Sequence, residues 1–401
     1  MVKKSFNKIE NNSYPKISFI VLGIGLVVSL ISLVSVVFPA FISESVVPNG
    51  FEKIGTGTVD LDKYETGPLA ELLILSNVIV FGLYFFRKKI PKISKIFSFD
   101  IPQKVSLVIV VIVIVSYGSI SFPEVYEDEI YSDWDSVKDG LDNWELSNIT
   151  SSGIHVNTIL LQQSMILFGS YKVIPLFSSM AILAVTYLFT TSLTRNRFAG
   201  IVSMGIVLQS NLFLTFDTSS TYTNFWILFY LVSLYAVVKV WFTNPVLYVA
   251  SMFSKTLTAL FAPMSIFFIL NSEIKKSYKI ILIVVIVGIL IFGATKYGTA
   301  YNTNQTEELS WSEFWMGFTS FALQMRFDTV TILLLLPLVF GLFLRSKNNK
   351  HANSILILVV GVLLSAPVLA GITDQTNQPY RFVPLVVFFA TGIGMLFSRT
   401  K

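Results

Sequence analysis

Long stretches of this chain carry almost no charge. Apolar runs recur at Ile17–Phe41, Pro68–Phe86, Val105–Phe122, Val173–Leu193, Phe198–Phe216, Thr223–Phe242, Ile280–Ala294, Thr329–Leu344, Ile355–Ile372 and Phe382–Phe397. A helix crossing the ~30 Å hydrocarbon core needs about 20 such residues, so these runs predict membrane spans. A further stretch, Pro245–Leu270, is interrupted at Pro263 and reads as one span or a short hairpin. Charged residues make up 13% of the chain, about half the share of a soluble domain, too little polar surface to cover a soluble fold. The expected fold is an all-α polytopic membrane protein of about 10–12 transmembrane helices. The first run follows Lys3, Lys4, Lys8 and Lys16 but is too long for a signal core and lacks an A-x-A exit. It is expected to stay as a span.

The charges sort by side. With the N-terminal side taken as inner, 22 of the 29 Lys and Arg lie inside, and 21 of the 24 Asp and Glu lie outside. Basic loops stay cytoplasmic, so both termini are expected in the cytoplasm of a multi-pass cell-membrane protein. This sidedness requires Pro245–Leu270 to start and end inside, which favours the hairpin. Lys255, within it, is counted on the inner side, while its place in the hairpin leaves its side open. Cys is absent, which excludes a disulfide scaffold, a thiol nucleophile and Cys-ligated metal. No P-loop and no basic stripe occurs, so neither ATP drive nor nucleic acid is expected.

The chemistry is therefore sought in the outer loops. Between Pro123 and Lys172 stand Glu124, Glu127, Asp128, Glu129, Asp133, Asp135, Asp139, Asp142 and Glu145, with Lys138 the one base among them. Adjacent carboxylates raise one another's proton affinity, and such a group can take a proton from a hydroxyl or hold a divalent ion. Asp128, Glu129, Asp133 and Asp135 are the candidate ligands for an ion such as Mg or Mn. Thr158–Phe168 is too short to span and predicts an interfacial helix, with Leu160, Leu161, Ser164, Met165 and Phe168 on one face. Trp311, Phe314, Trp315, Phe318 and Phe321 predict a second one. Arg381 and Arg326 stand at span mouths where outer bases are scarce, with Lys172 a weaker version of the same feature. Arg forks onto phosphate oxygens, which suits a lipid phosphate. Asp217 and Asp374 are further outer acids able to face the same cavity. Asn148-Ile-Thr and Asn304-Gln-Thr are sequons on the outer side.

Several segments together resemble the integral-membrane glycosyltransferases of superfamily C, GT-C. The nearest branch is the protein O-mannosyltransferases and lipid A aminoarabinose transferases. The residues are Asp128-Glu129-Ile130-Tyr131 at a span end, His155 a loop later, Leu167-Phe168-Gly169-Ser170, the Pro175-bearing span ending in Arg195-Asn196-Arg197, Ser254-Lys255-Thr256, and Pro379-Tyr380-Arg381-Phe382-Val383-Pro384. The sequence departs from the family in Val156-Asn157, which replaces two prolines, and in two extra spans before Val105. The resemblance implies a GT-C-like domain over 105–401, preceded by a two-span hairpin and basic loop over 1–104. It implies transfer of a sugar from a polyprenyl-phosphate donor to a protein, glycan or lipid acceptor of the cell envelope. Asp128 would be the catalytic base with Glu129 its partner, and Arg381, Tyr380, His155, Arg326 and Lys172 would bind substrate. The alternatives are a lipid-linked oligosaccharide transporter or polymerase, and a non-catalytic subunit of a membrane complex.

Overall fold

A computed structural model describes residues 14–39, 41, 64–86, 99–131, 133–143, 155–297, 310–325, 328–372 and 379–397. Among them every regular element is helical. The α-helices are α1 (Lys16–Val37), α2 (Ala70–Phe85), α3 (Gln103–Ser121), α4 (Trp134–Asp142), α5 (Val156–Phe168), α6 (Val173–Thr194), α7 (Arg197–Leu208) and α8 (Asn211–Thr215). They continue as α9 (Phe225–Lys239), α10 (Asn244–Ser254), α11 (Ala262–Asn271), α12 (Lys276–Tyr297), α13 (Trp311–Met325), α14 (Thr329–Ser346), α15 (His351–Ile372) and α16 (Val383–Leu396). Seven helical segments are long and apolar enough to cross a membrane, and shorter apolar helices accompany them. The chain is a polytopic helical membrane protein.

The core is built around α16, which is apolar on every side and buried almost throughout. A helix without a polar face belongs inside a bundle. Its neighbours are α6, α7, α14 and α15. Small residues let the backbones approach: a Cβ on Gly394 would collide with Ser203 Oγ, and one on Gly200 with Thr191 Oγ1. Hydroxyls and amides tie the helices together. Ser203 Oγ donates to Ala390 O at 2.8 Å, Ser35 Oγ to Phe318 O at 2.9 Å and Asn353 Nδ2 to Ser18 Oγ at 2.9 Å. Helices α1 and α2 pack on α13–α15 and α14, so the two extra N-terminal helices join the same bundle.

One end of the bundle gathers cations. Arg197 pairs with Asp100 at 3.6 Å and Arg195 with Glu273 at 4.0 Å. Asn196 Nδ2 donates to Phe99 O and Phe397 O, Asn349 Nδ2 to Leu193 O, and Arg345 to Leu396 O. Tyr14 stacks on Phe343 at 4.7 Å, so both described ends of the chain lie here. The opposite end gathers acids and is called the acidic end below.

Three sequence expectations meet corrections. Lys255, counted with the inner bases, lies at the acidic end, where its ammonium sits 3.8 Å from the centroid of Tyr380. The hairpin is two short pieces, α10 and α11, joined through a 3₁₀ turn over Thr256–Phe261, and Lys255 is near its tip. Helix α5 exists as expected, but Leu161 and Ser164 are its buried positions, whereas Met165 and Phe168 face outward. Helix α13 is more than a surface helix. Phe318, Phe321 and Met325 are buried against the bundle, while Trp311 and Trp315 stay exposed.

Candidate functional site

Helix α3 ends in a 3₁₀ turn over Phe122–Tyr126, with Pro123 at its start, which carries the acidic segment across the end of the bundle. The segment docks on an irregular turn between α8 and α9, residues 216–224. Thr218 Oγ1 donates to Glu124 Oε2 at 3.2 Å. Glu129 takes the Ser219 hydroxyl on Oε1 and the Ser220 amide on Oε2, each at 2.9 Å. Tyr222 OH donates to Asp133 Oδ2 at 2.6 Å. Burial pushes the Tyr222 phenol up, and the Asp133 carboxylate adds to it.

Asp217 lies beneath these contacts. Its Oδ2 accepts from Tyr117 OH at 2.6 Å and Ser121 Oγ at 3.2 Å, and its carbonyl accepts from Ser179 Oγ at 2.8 Å. Oδ1 is buried and makes no hydrogen bond. Burial pushes the Asp217 carboxyl up to about 6; the Tyr117 hydrogen bond opposes this and the Glu124 charge reinforces it.

The expected site residues divide. Glu129 is held, with its side chain 3% exposed and Lys172 Nζ 4.0 Å from Oε2. Lys172 also donates to the carbonyls of Glu124 and Asp128, each at 3.4 Å, so it clamps the acidic segment. The Asp128 side chain is exposed. Tyr380 is buried and stacked on Tyr222, with centroids 4.4 Å apart. Arg381 Nε donates to Tyr380 OH at 3.3 Å. The ring of Tyr380 thus has Lys255 over it and Arg381 beside it. His155 is exposed at the start of α5. Arg326, Asp374, Asn148 and Asn304 lie outside the described residues.

The four candidate metal ligands do not converge. Asp128 and Asp135 are exposed, Glu129 is engaged by Ser219 and Ser220, and Asp133 by Tyr222. Among the described residues no three Asp, Glu, His or Cys side chains gather as a metal site. These residues do not fit a divalent ion in this arrangement.

Asp217 and its turn are what the sequence reading undervalued. The signal was present in Thr215-Phe-Asp-Thr-Ser-Ser-Thr-Tyr-Thr-Asn224, a hydroxyl-rich run wedged between two apolar helices. The arrangement offers an exposed carboxylate, a hydroxyl-lined turn, an aromatic stack and two cations at one end of a membrane bundle. No known protein family, curated protein or solved structure matches this chain.

Proposed function

We propose that this protein is a glycosyltransferase that moves a sugar from a polyprenyl-phosphate donor to an acceptor hydroxyl at its acidic, extracytoplasmic end. The observation that carries the reading is the joining of two charge centres through one turn. Glu124, Glu129 and Asp133 dock on residues 218–222, and Tyr222 stacks on Tyr380, which bears Lys255 and Arg381. The basic end faces the cytoplasm by the usual loop-charge asymmetry, and both termini with it.

In the reaction an acceptor hydroxyl gives its proton to the exposed Asp128 carboxylate as its oxygen attacks the anomeric carbon. The bond from that carbon to the phosphate oxygen breaks, and the electron pair leaves with the polyprenyl phosphate. Arg381 and Lys255 stabilise the charge that develops on the leaving oxygen. Displacement from the opposite face inverts the anomeric centre. Glu129 and Lys172 are positioning residues, since they lock the segment that presents Asp128.

The test uses the purified protein in lipid nanodiscs with radiolabelled polyprenyl-phosphate hexoses and cell-envelope fractions as acceptors. Wild type releases polyprenyl phosphate and labels the acceptor. An Asp128→Asn variant, properly inserted, transfers about 10²-fold or more slowly. Normal turnover by that variant removes the assigned base, and no transfer by wild type removes the reading.

A further inference from the structure

Buried polar atoms almost always find partners, and each one left alone costs about 1–3 kcal/mol. Such atoms occur throughout the bundle, and several lie close together in sequence at and just after the turn. Asp217 Oδ1, Ser220 Oγ, Thr221 Oγ1, Thr223 Oγ1 and Trp226 Nε1 are all buried without a hydrogen bond. Asn157 Oδ1 is another, and its amide nitrogen donates to Ser254 O beside Lys255 at 2.7 Å. Trp226 is tied to the same helix, because its carbonyl accepts Ser251 Oγ at 2.6 Å. Helical Ser and Thr hydroxyls can turn back to their own i−4 carbonyls, as Ser254, Thr194 and Thr391 do. Residues 216–224 lie between helices, so that outlet is not built into their backbone.

The chemistry of these groups is that of a polyol site. Hydroxyls and a carboxylate oxygen accept, hydroxyls and an indole N–H donate, and an aromatic stack adjoins them. In a lipid-phosphate sugar the ring is bonded directly to the phosphate. With the phosphate at Lys255 and Arg381, the sugar must occupy the next surface, and Tyr222–Tyr380 makes the turn that surface.

We infer that the turn over residues 217–224, with Trp226 of α9 beside it, is the glycosyl-recognition subsite, in which Ser220, Thr221 and Thr223 read the hydroxyls of a hexose carried on the lipid phosphate. This rests on the function proposed above. Residues 217–223 lie outside the helices and can shift to admit the ring without unwinding a spanning helix.

The experiment separates the subsite from the reading beneath it. Wild type, Ser220→Ala, Thr221→Val and Thr223→Val, in nanodiscs, are titrated with bare polyprenyl phosphate and with polyprenyl-phosphate glucose, mannose and galactose. Ligand-free melting temperatures are measured alongside. At least one hexose donor is expected to bind wild type about tenfold or more tightly than bare polyprenyl phosphate, the free-energy scale of one or two hydroxyl hydrogen bonds. The Thr223→Val variant loses that increment, keeps its affinity for the bare lipid, and melts no lower than wild type, because the deleted hydroxyl had no partner. Binding of the bare lipid with no gain from any hexose overturns the subsite and leaves the phosphate site standing. Retention of the increment by all three variants, or melting of Thr223→Val several degrees lower, also overturns it. Absence of binding by any of these lipids defeats the broader function as well.

Discussion

The two ends of the bundle use charge in different ways. At the basic end cations and amides are spent on structure: Arg197 meets Asp100, Arg345 meets the last carbonyls of α16, and Asn196 ties three segments together. At the acidic end carboxylates collect hydroxyls, and two cations crowd one aromatic ring. A bilayer enforces the same sorting of charge at both ends, so sorting alone does not mark function. What sets the acidic end apart is that one turn joins its carboxylates to the ring that carries Lys255 and Arg381.

The largest effect that tests this contrast is on transfer. Under the proposed function, replacing Arg381 by Gln removes a donor to the leaving phosphate and is expected to slow transfer by about 10²–10³-fold, the usual cost of deleting one transition-state donor. The rate is read with the labelled donor in nanodiscs. Arg197→Gln, at the other end, should leave the rate per folded molecule unchanged. Equal losses from both variants would mean that the ends do not differ in role.

The next effect is on stability and belongs to the basic end. Asn196 Oδ1 caps α7 by accepting from the Phe198 and Ala199 amides, while Nδ2 reaches Phe99 O and Phe397 O. Its replacement by Ala strips a helix cap and leaves two carbonyls short of a donor. A loss of about 3 kcal/mol is expected, seen as a lower thermal midpoint in detergent, with transfer by the folded fraction intact.

How much of this was written in the chain depends on the range of the interaction. Apolar helices follow from local composition and were legible, although seven among the described residues are long enough to span where about 10–12 were expected and the run Phe198–Phe216 breaks into α7 and α8; the placing of Asp133, Glu129 and Arg381 at one end was legible as well. Lys255 was not, because α10 and α11 are each too short to register as spans and a lone Lys near the tip between them reads like a cytoplasmic base. The contrast between Asp128 and Glu129 was also hidden. They are adjacent in sequence, and only the distant Ser219–Ser220 pair determines which carboxylate is buried. Asp217 depends on Tyr117 and Ser121, about a hundred positions earlier, and no pattern of local spacing reveals that.

Asp217 also gives the acidic end a dependence on pH. Its carboxyl is raised from 3.8 to about 6 in the fold. The unfolded chain therefore releases this proton first as pH rises, and stability falls between about pH 4 and pH 6 by up to about 3 kcal/mol. An Asp217→Asn variant keeps an oxygen for Tyr117 and has no proton to lose. Its thermal midpoint should be flatter across that range and higher than that of wild type near pH 7. A wild-type midpoint that climbs through the window instead would show that Asp217 is charged and compensated, and the acidic end would then resemble the basic one.

The smallest effect separates backbone from charge. Arg195 closes α6 with φ 55°, the one non-glycine residue with positive φ among the described residues, and its amide donates to Thr191 O at 2.8 Å. Left-handed backbone costs a side chain about 1 kcal/mol, which glycine does not bear. The ion pair with Glu273 is largely exposed and adds well under 1 kcal/mol. Arg195→Gly should therefore match or slightly exceed wild type in thermal midpoint, while Arg195→Ala, which keeps the strain and loses the pair, falls just below it. Neither should change transfer. An Arg195→Ala variant that folds normally but transfers slowly would show that the basic end reaches the chemistry after all, and the division of labour between the two ends would have to be redrawn.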